Sequence, residues 1–326
     1  MGLKAIKNML KEKFSVPLVR FFSKFSPEKT AIIWVDGGFC SVVTKYAIGK
    51  CIEKKLGMKV KYDLTWFKTC GMDCDNKYKR SFELLNVFPD LDFEIATDEE
   101  ISFFRKYFYF KNEYPFIYCD ELFSEKRNMY VDGGFDHWRY WEFIREELLQ
   151  SLDFESLKLN EANQKVLEQI KDEEEPVAVH VRRGDYVNLD FFHKLPPEYF
   201  VLAINHIKEK LAPKKPHFFF FSNGMDWVKE KIVTQLPEDI SYTFVEVNDN
   251  DTGYFDLYLI SKCKHQIASN SAFGYWGGVF NKYKDKIVII PEKCLVTDDK
   301  LIENIDEARN VPGWLVMSDD GKIVND

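Results

Sequence analysis

The stretch 176-PVAVHVRRGDYV-187 runs a continuous apolar segment straight into a cluster of charge. Residues 177–181 are small or β-branched at every position but one. That reads as a strand covered on both faces, as in the interior of a parallel sheet. His180, Arg182, Arg183, Gly184 and Asp185 crowd its carboxyl end. Just upstream, Lys171-Asp172-Glu173-Glu174-Glu175-Pro176 is a charged run closed by proline, and it marks a domain boundary.

Downstream of that strand the pattern is regular. Further strands are predicted at 217–221, 242–247, 265–268 and 286–290. Helices are predicted at 197–211, near 225–234, at 253–262 and at 271–283. Strands alternating with helices at crossover spacing give an open, doubly wound parallel sheet. Upstream, a strand at 30–35, a helix at 41–56 and a strand at 58–64 form a βαβ-like opening. Residues 65–150 are aromatic and mixed, with helical patches near 98–110 and 138–150. The predicted fold is α/β, with two Rossmann-like domains facing a cleft. Its parts are a basic amphipathic segment 1–29, a domain 30–175 and a second domain 176–326.

The chain has 326 residues, of which 45% are hydrophobic and 16% aromatic, ample for two cores. A formal net charge of −8 argues against a general nucleic-acid binder, which needs a broad basic surface. Seven cysteines at no framework spacing suit a reducing, cytoplasmic setting. The first 25 residues set Lys4, Lys7, Lys11, Lys13, Arg20 and Lys24 among Leu3, Ile6, Leu10, Phe14, Leu18, Phe21 and Phe22. Such a segment suits peripheral contact with an anionic membrane, here the inner face, or packing on its own domain. Liposome co-sedimentation unchanged by deleting residues 1–25 removes the membrane reading.

In open parallel sheets, ligands sit beyond the carboxyl ends of the strands. The first strand delivers His180, Arg182, Arg183 and Asp185 there. The second delivers Ser222 and Asn223, and the third Asn248, Asp249, Asn250 and Asp251. The fourth delivers Ser269, Asn270 and Ser271, leading into a helix through Ala272 and Phe273. Hydroxyls and free N–H groups at a helix start bind anions, and arginine forks match phosphate oxygens. Together they predict a diphosphate pocket. Alternation along the strand separates the two arginines, so one of them pairs with a carboxylate such as Asp185. Asp256 lies in the apolar helix 253-GYFDLYLISKC-263. It is either a first-turn aspartate favoured by the helix dipole or an acceptor for the N–H groups of a purine.

These residues carry a resemblance to the α-1,2-fucosyltransferases of glycosyltransferase family 11. The family's His-x-Arg-Arg-Gly-Asp-Tyr is matched by His180, Arg182, Arg183, Gly184, Asp185 and Tyr186. A second block stands here as 256-DLYLISKCKHQIASNSAFGYWGG-278, keeping Asp256, Ser261, Cys263, Lys264, His265, Asn270, Ser271, Phe273, Trp276 and Gly277. Phe-Ser-Asp-Asp-x-x-Trp is half kept as Phe221, Ser222 and Trp227. The family's Gly-Gly-Leu-Gly-Asn-Gln-Met-Phe-Gln-Tyr-Ala survives only as Gly37, Gly38, Tyr46 and Ala47 in 37-GGFCSVVTKYA-47. The stretch 130-YVDGGFDHWRYW-141 is also recognisable.

The resemblance implies transfer of L-fucose from GDP-fucose, with inversion, by a GT-B fold that needs no obligatory metal or other cofactor. The implied acceptor is a glycan ending in a β-galactoside, modified at its 2-hydroxyl. It implies that Arg182 meets the β-phosphate, that His180 and Asp256 hold guanine, and that Asn270, Ser271, Ala272 and Phe273 bind the diphosphate with Ser222 nearby. Arg183 and Asp185 then fix the loop. Asp36 and Asp136 are candidates for the base. Three other readings stand beside it: a transferase of another linkage or donor, a binding protein that kept the pocket without turnover, and a metal site at Asp249 and Asp251. Arg183-Gly184-Asp185 as an adhesion tripeptide is disfavoured, because a reducing compartment would not present it to an integrin.

Overall fold

A computed structural model of the chain describes residues 16–20, 28–74, 76–114, 116–296 and 305–325. The basic segment therefore lies mostly outside the described residues. Among the described residues no helix is long and apolar enough to cross a membrane.

The chain forms two compact units. The first takes most residues up to Leu152, and the second takes Asp153–Asp326 with the short pieces Asp73–Tyr78 and Asn86–Pro89. The charged run ending at Pro176 lies within the second unit, and the changeover comes earlier, at residues 152 and 153. The reason is helix α3 (Glu161–Asp172), whose Val166, Leu167 and Ile170 are buried against Ala178, Phe219 and Leu259 of the second unit.

The first unit holds four parallel strands, β1 (Thr30–Trp34), β2 (Lys59–Asp63), β3 (Tyr109–Asn112) and β4 (Met129–Gly133), in the order β2-β1-β4-β3. Helix α1 (Phe39–Leu56) and helix α2 (Asp98–Tyr107) belong to this unit. A capping box starts α2, with Thr97 and Glu100 satisfying each other's backbone N–H groups. Strands β3 and β4 are not evident from the sequence. They are four and five residues long, and β3 alternates poorly.

The second unit is a six-stranded parallel sheet of β5 (Pro176–Val181), β6 (His217–Ser222), β7 (Ser241–Val245), β8 (His265–Ile267), β9 (Val288–Pro291) and β10 (Leu315–Met317). Their order is β10-β9-β8-β5-β6-β7. The chain winds outward one way through β6 and β7, then returns to place β8 on the other side of β5. The α/β class and the doubly wound sheet are as expected, with one more strand. Three-residue β10 joins β9 at the edge and is too short to show a period.

Alternation on the strands builds two cores. Val177, Val179, Val181, Phe218 and Phe220 face helix α4 (Pro197–Leu211) and the segment at 225–235. Ala178, Phe219 and Phe221 face α3 and helix α5 (Gly253–Lys262). The expected helix near 225–234 is divided into a short α-turn (Met225–Trp227), a π-turn (Val228–Ile232) and a 3-10 turn (Val233–Gln235). Its apolar spacing still serves, since Met225, Val228 and Ile232 all face the core. Helix α6 (Ala272–Phe280) follows β8.

Candidate functional site

The sheet order reverses between β5 and β8, and ligand crevices form at such a point, beyond the strand ends. Residues from both strands meet there. Nδ1 of His180 lies 2.9 Å from Oγ of Ser269, and its ring stacks on Phe273 with centroids 5.2 Å apart. Burial, aided by the nearby Arg182 charge, pushes the His180 pKa down to about 3, so the ring is neutral at physiological pH. Gly274 makes this packing possible, because a Cβ there would lie 2.9 Å from His180 Nδ1 and 3.0 Å from Ala268.

Beyond β5 the two arginines part, but not as expected. Arg182 takes the carboxylate. Its Nε and Nη2 donate to Asp185 Oδ1 at 3.0 and 2.5 Å, and the guanidinium lies 5.4 Å from the Tyr186 ring centroid. Arg183 has no carboxylate within ion-pair reach among the described residues. It lies 4.0 Å over the Trp227 ring, and its backbone N–H donates to Asn223 Oδ1 at 2.8 Å. The strand ends before the arginines, so pleat alternation does not govern which one meets Asp185. Gly184 is required here. Its φ is +37°, and a Cβ would sit 2.2 Å from Asn223 Nδ2. Burial lowers the Arg183 pKa.

At β6, Ser222 Oγ accepts the Gly224 N–H at 3.0 Å and shapes that turn. After β8, Ser271 caps α6 by accepting the Phe273 N–H at 3.2 Å, and Ala272 opens the helix. Asn270 is committed elsewhere. Its amide donates to the carbonyls of His193 at 2.8 Å and Cys294 at 2.9 Å, tying two loops together. Beyond β7, Asn248 donates to Asp256 Oδ1 at 2.6 Å. Burial raises the Asp256 pKa to about 6, a shift that the Asn248 hydrogen bond moderates. Among the described residues Asp256 Oδ2 has no hydrogen-bond partner.

The acidic triplet at 249–251 has local duties. Asp249 Oδ1 accepts from the backbone N–H groups of Asp251 and Thr252 and from the Thr252 hydroxyl, closing the turn into α5. Tyr78 donates to Asp251. Among the described residues no cluster of three His, Cys, Asp or Glu suits a metal ion.

In the first unit, Asp36 follows β1 and lies 3.3 Å from the buried ammonium of Lys45, which also donates to the Gly133 carbonyl. Lys45 stands where the family motif has the Gln before its Tyr-Ala. Asp136 is half-buried beyond β4. Tyr140 and Trp141 are core residues at 1% and 2% exposure, so neither ring is open to stack on a sugar.

The family model for glycosyl transferase family 11 matches residues 97–318, more than half of the chain. The chain belongs to glycosyl transferase family 11. It is similar to the Escherichia coli O-antigen biosynthesis glycosyltransferase WbnK, with 25% identity over 82% of this chain and 95% of the relative. It is also similar to an Escherichia coli alpha-1,2-colitosyltransferase, with 26% identity over 78% of this chain and 89% of the relative. The human galactoside alpha-(1,2)-fucosyltransferase 1 is 29% identical over 49% of this chain and 45% of its own length. Among solved structures, the fucosyltransferase NodZ from Bradyrhizobium aligns with a TM-score of 0.44 and 15% identity, covering 78% of this chain and 93% of that one.

The protein is thus a family 11 glycosyltransferase, and the family's motif residues divide by position. His180, Arg182 and Asp256 stand at the carboxyl end of the sheet. Lys264 and His265 stand at the opposite end, bound to Glu175, and Cys263 and Trp276 are buried. Asn248, expected at a strand end, meets Asp256, and Trp227, kept from a motif, lies under Arg183, whereas Asn163 joins Asn248 without any expectation from the sequence. Asn163 lies in a segment with no motif, and nothing local in the sequence marks it.

Proposed function

We propose that this glycosyltransferase moves L-fucose from GDP-fucose, with inversion, to a glycan hydroxyl, the 2-hydroxyl of a terminal β-galactoside. The observation that carries the reading is the Arg182 guanidinium, held by Asp185 beside the reversal of strand order. As the sugar–phosphate bond breaks, negative charge grows on the departing diphosphate. A cation already fixed in place stabilises that charge without reorganising. Asp185 occupies Nε and Nη2, so the remaining N–H groups of Arg182 serve the β-phosphate. Arg183, stacked on Trp227, supports the loop.

The start of α6, from Ser271 to Phe273, supplies backbone N–H groups to the diphosphate, with Ser222 at the neighbouring strand end. Asn270 acts through the loops that it ties. Neutral His180 and the open oxygen of Asp256 serve the base, since a carboxylate accepts the adjacent N–H groups of guanine. A permanent guanidinium charge replaces a divalent ion in this scheme. The acceptor-side base is Asp36 or Asp136. The names of the galactoside α-1,2-fucosyltransferases support the linkage and the acceptor.

A second donor is favoured by one observation. The relatives that cover most of this chain are an O-antigen glycosyltransferase and a colitosyltransferase, whereas the human fucosyltransferase match covers about half of it. One experiment tests both readings: GDP-fucose and other nucleotide sugars offered with a glycan acceptor array in EDTA, followed by linkage analysis. Fucose found α-1,2-linked to galactose is the expected result. Turnover of another nucleotide sugar alone replaces the donor, and binding of GDP without any transfer replaces the enzyme by a binding protein.

A further inference from the structure

Behind Asp256 stands a chain of three asparagines. Asn248 uses its amide N–H groups on Asp256 Oδ1 at 2.6 Å and on Asn163 Oδ1 at 2.8 Å. Asn163 returns a bond to Asn248 Oδ1 at 2.9 Å and gives its other N–H to Asn160 Oδ1 at 2.9 Å. The two amides therefore form a closed pair. The chain has one direction, because an ionised carboxylate only accepts and Asn248 must turn its nitrogen toward Asp256.

Capping of α3 does not explain Asn163. The Asn160 side chain already accepts the Asn163 backbone N–H at 2.9 Å, whatever side chain stands at 163. The Asn163 side chain is nevertheless completely buried. An apolar residue would fill the same space without desolvating an amide, so an asparagine here is justified by the partners that it orients. Among the described residues its one side-chain partner beyond the Asn160 cap is Asn248, and the one side-chain partner of Asn248 beyond Asn163 is Asp256. With Oδ1 fixed in this way, Oδ2 is the oxygen left for a ligand.

We propose that Asn163 and Asn248 are positioning residues for purine recognition, a relay that fixes the Asp256 carboxylate so that its open oxygen meets the ring N–H and exocyclic amine of guanine. The proposal rests on the reading that Asp256 serves the base of the donor. It places part of nucleotide specificity on α3, a helix that carries none of the family motifs and precedes the stretch His180–Tyr186. Adenine presents a bare ring nitrogen at the matching position and is repelled by the same oxygen. Freed of the relay, the carboxylate turns, and the preference weakens while the diphosphate grip stays.

Titration calorimetry of GDP and ADP binding to the wild type, Asn163→Ala and Asn248→Ala tests it, with each melting temperature recorded. The wild type is expected to prefer GDP by about ten-thousandfold, the scale on which a site built to pair with a substrate N–H rejects the analogue that lacks it. Both variants are expected to lose GDP affinity by about tenfold, the effect of one lost charged hydrogen bond, with ADP affinity unchanged. In turnover, KM for the donor rises and kcat holds. Equal weakening of GDP and ADP, or an unaltered preference, overturns the relay. A wild type that does not discriminate overturns the base reading of Asp256 and the relay with it. Asn248 is half-buried in a loop, so Asn248→Ala keeps the test available if Asn163→Ala does not fold.

Discussion

Immediately before β5, Glu175 is 1% exposed and enclosed by Lys214, Lys264 and His265. Beyond the other end of the same strand, Asp185 is the one carboxylate paired with Arg182 among the described residues. Both clusters are charged, and both hold residues of the family motifs. At the amino end every partner is protein: His265 Nε2 lies 2.7 Å from Glu175 Oε2, Lys264 reaches Oε1 at 3.0 Å, and Lys214 shares that oxygen. At the carboxyl end, Arg182, Asp256 and the start of α6 each keep positions that no described side chain fills. A closed network is scaffold and an open one is a site. The motif alone does not make the distinction, since Lys264-His265 and His180-x-Arg182 look equally chemical in sequence.

The sharpest way to break the contrast is Arg182→Ala. Loss of the cation proposed to meet the leaving group should lower kcat by about a thousandfold, with the circular dichroism spectrum and melting temperature near those of the wild type. Near-normal turnover would remove Arg182 from the β-phosphate.

The amino end should answer in stability. Glu175→Gln removes the buried charge on which two lysines and a histidine converge. It should cost about 2 kcal/mol in denaturant unfolding, typical of hydrogen bonds to a charged group, and leave kcat of the folded enzyme unchanged. A larger loss in kcat than in stability would place Glu175 in the mechanism.

The smallest effect is set by pH, and it separates the two ends. Burial pushes the Glu175 carboxyl up, but hydrogen bonds from Lys214, His265 and Lys264 outweigh it and hold the pKa down at about 2. Its stabilisation is therefore present above the ordinary carboxylate range and lost only as pH falls from there toward 2. Asp256 is shifted the other way, to about 6, and only its ionised form accepts two N–H groups. GDP affinity should fall by about tenfold from pH 7 to pH 5, while the Glu175 cluster still holds. His180 stays neutral throughout, its pKa being about 3. GDP affinity flat across that range would take Asp256 out of base binding.

Much of the second unit was legible because β5, β6 and β9 are continuous apolar runs covered on both faces, with helical segments between the strands. The α4 bounds, Pro197–Leu211, follow from a proline in the first turn. The first unit was legible through its opening βαβ and the helical patch near 98–110 that became α2. Its later strands are short, and its aromatic residues satisfy strand and helix patterns alike. In the site, residue types were readable and pairings were not. The sequence placed both arginines beside Asp185, but only the turned loop settles that Arg182 takes it while Arg183 stacks on Trp227. Asn163 was out of reach because its partner lies 85 residues away.

The four consecutive phenylalanines of β6 have a consequence for strand pairing. Phe218 and Phe220 fill one core and Phe219 and Phe221 the other, so a shift of one residue would bury nearly the same side chains on each face. Hydrophobicity alone leaves this strand free to slide. What pins it is its polar amino end. His217 sits opposite Ser241, with its ring nitrogens 2.7 Å from the Ser241 hydroxyl and 2.8 Å from that of Thr243. Ser222 closes the far end on the Gly224 N–H. The alignment that delivers Ser222 and Asn223 to the carboxyl end is thus chosen at His217, on the opposite rim of the sheet.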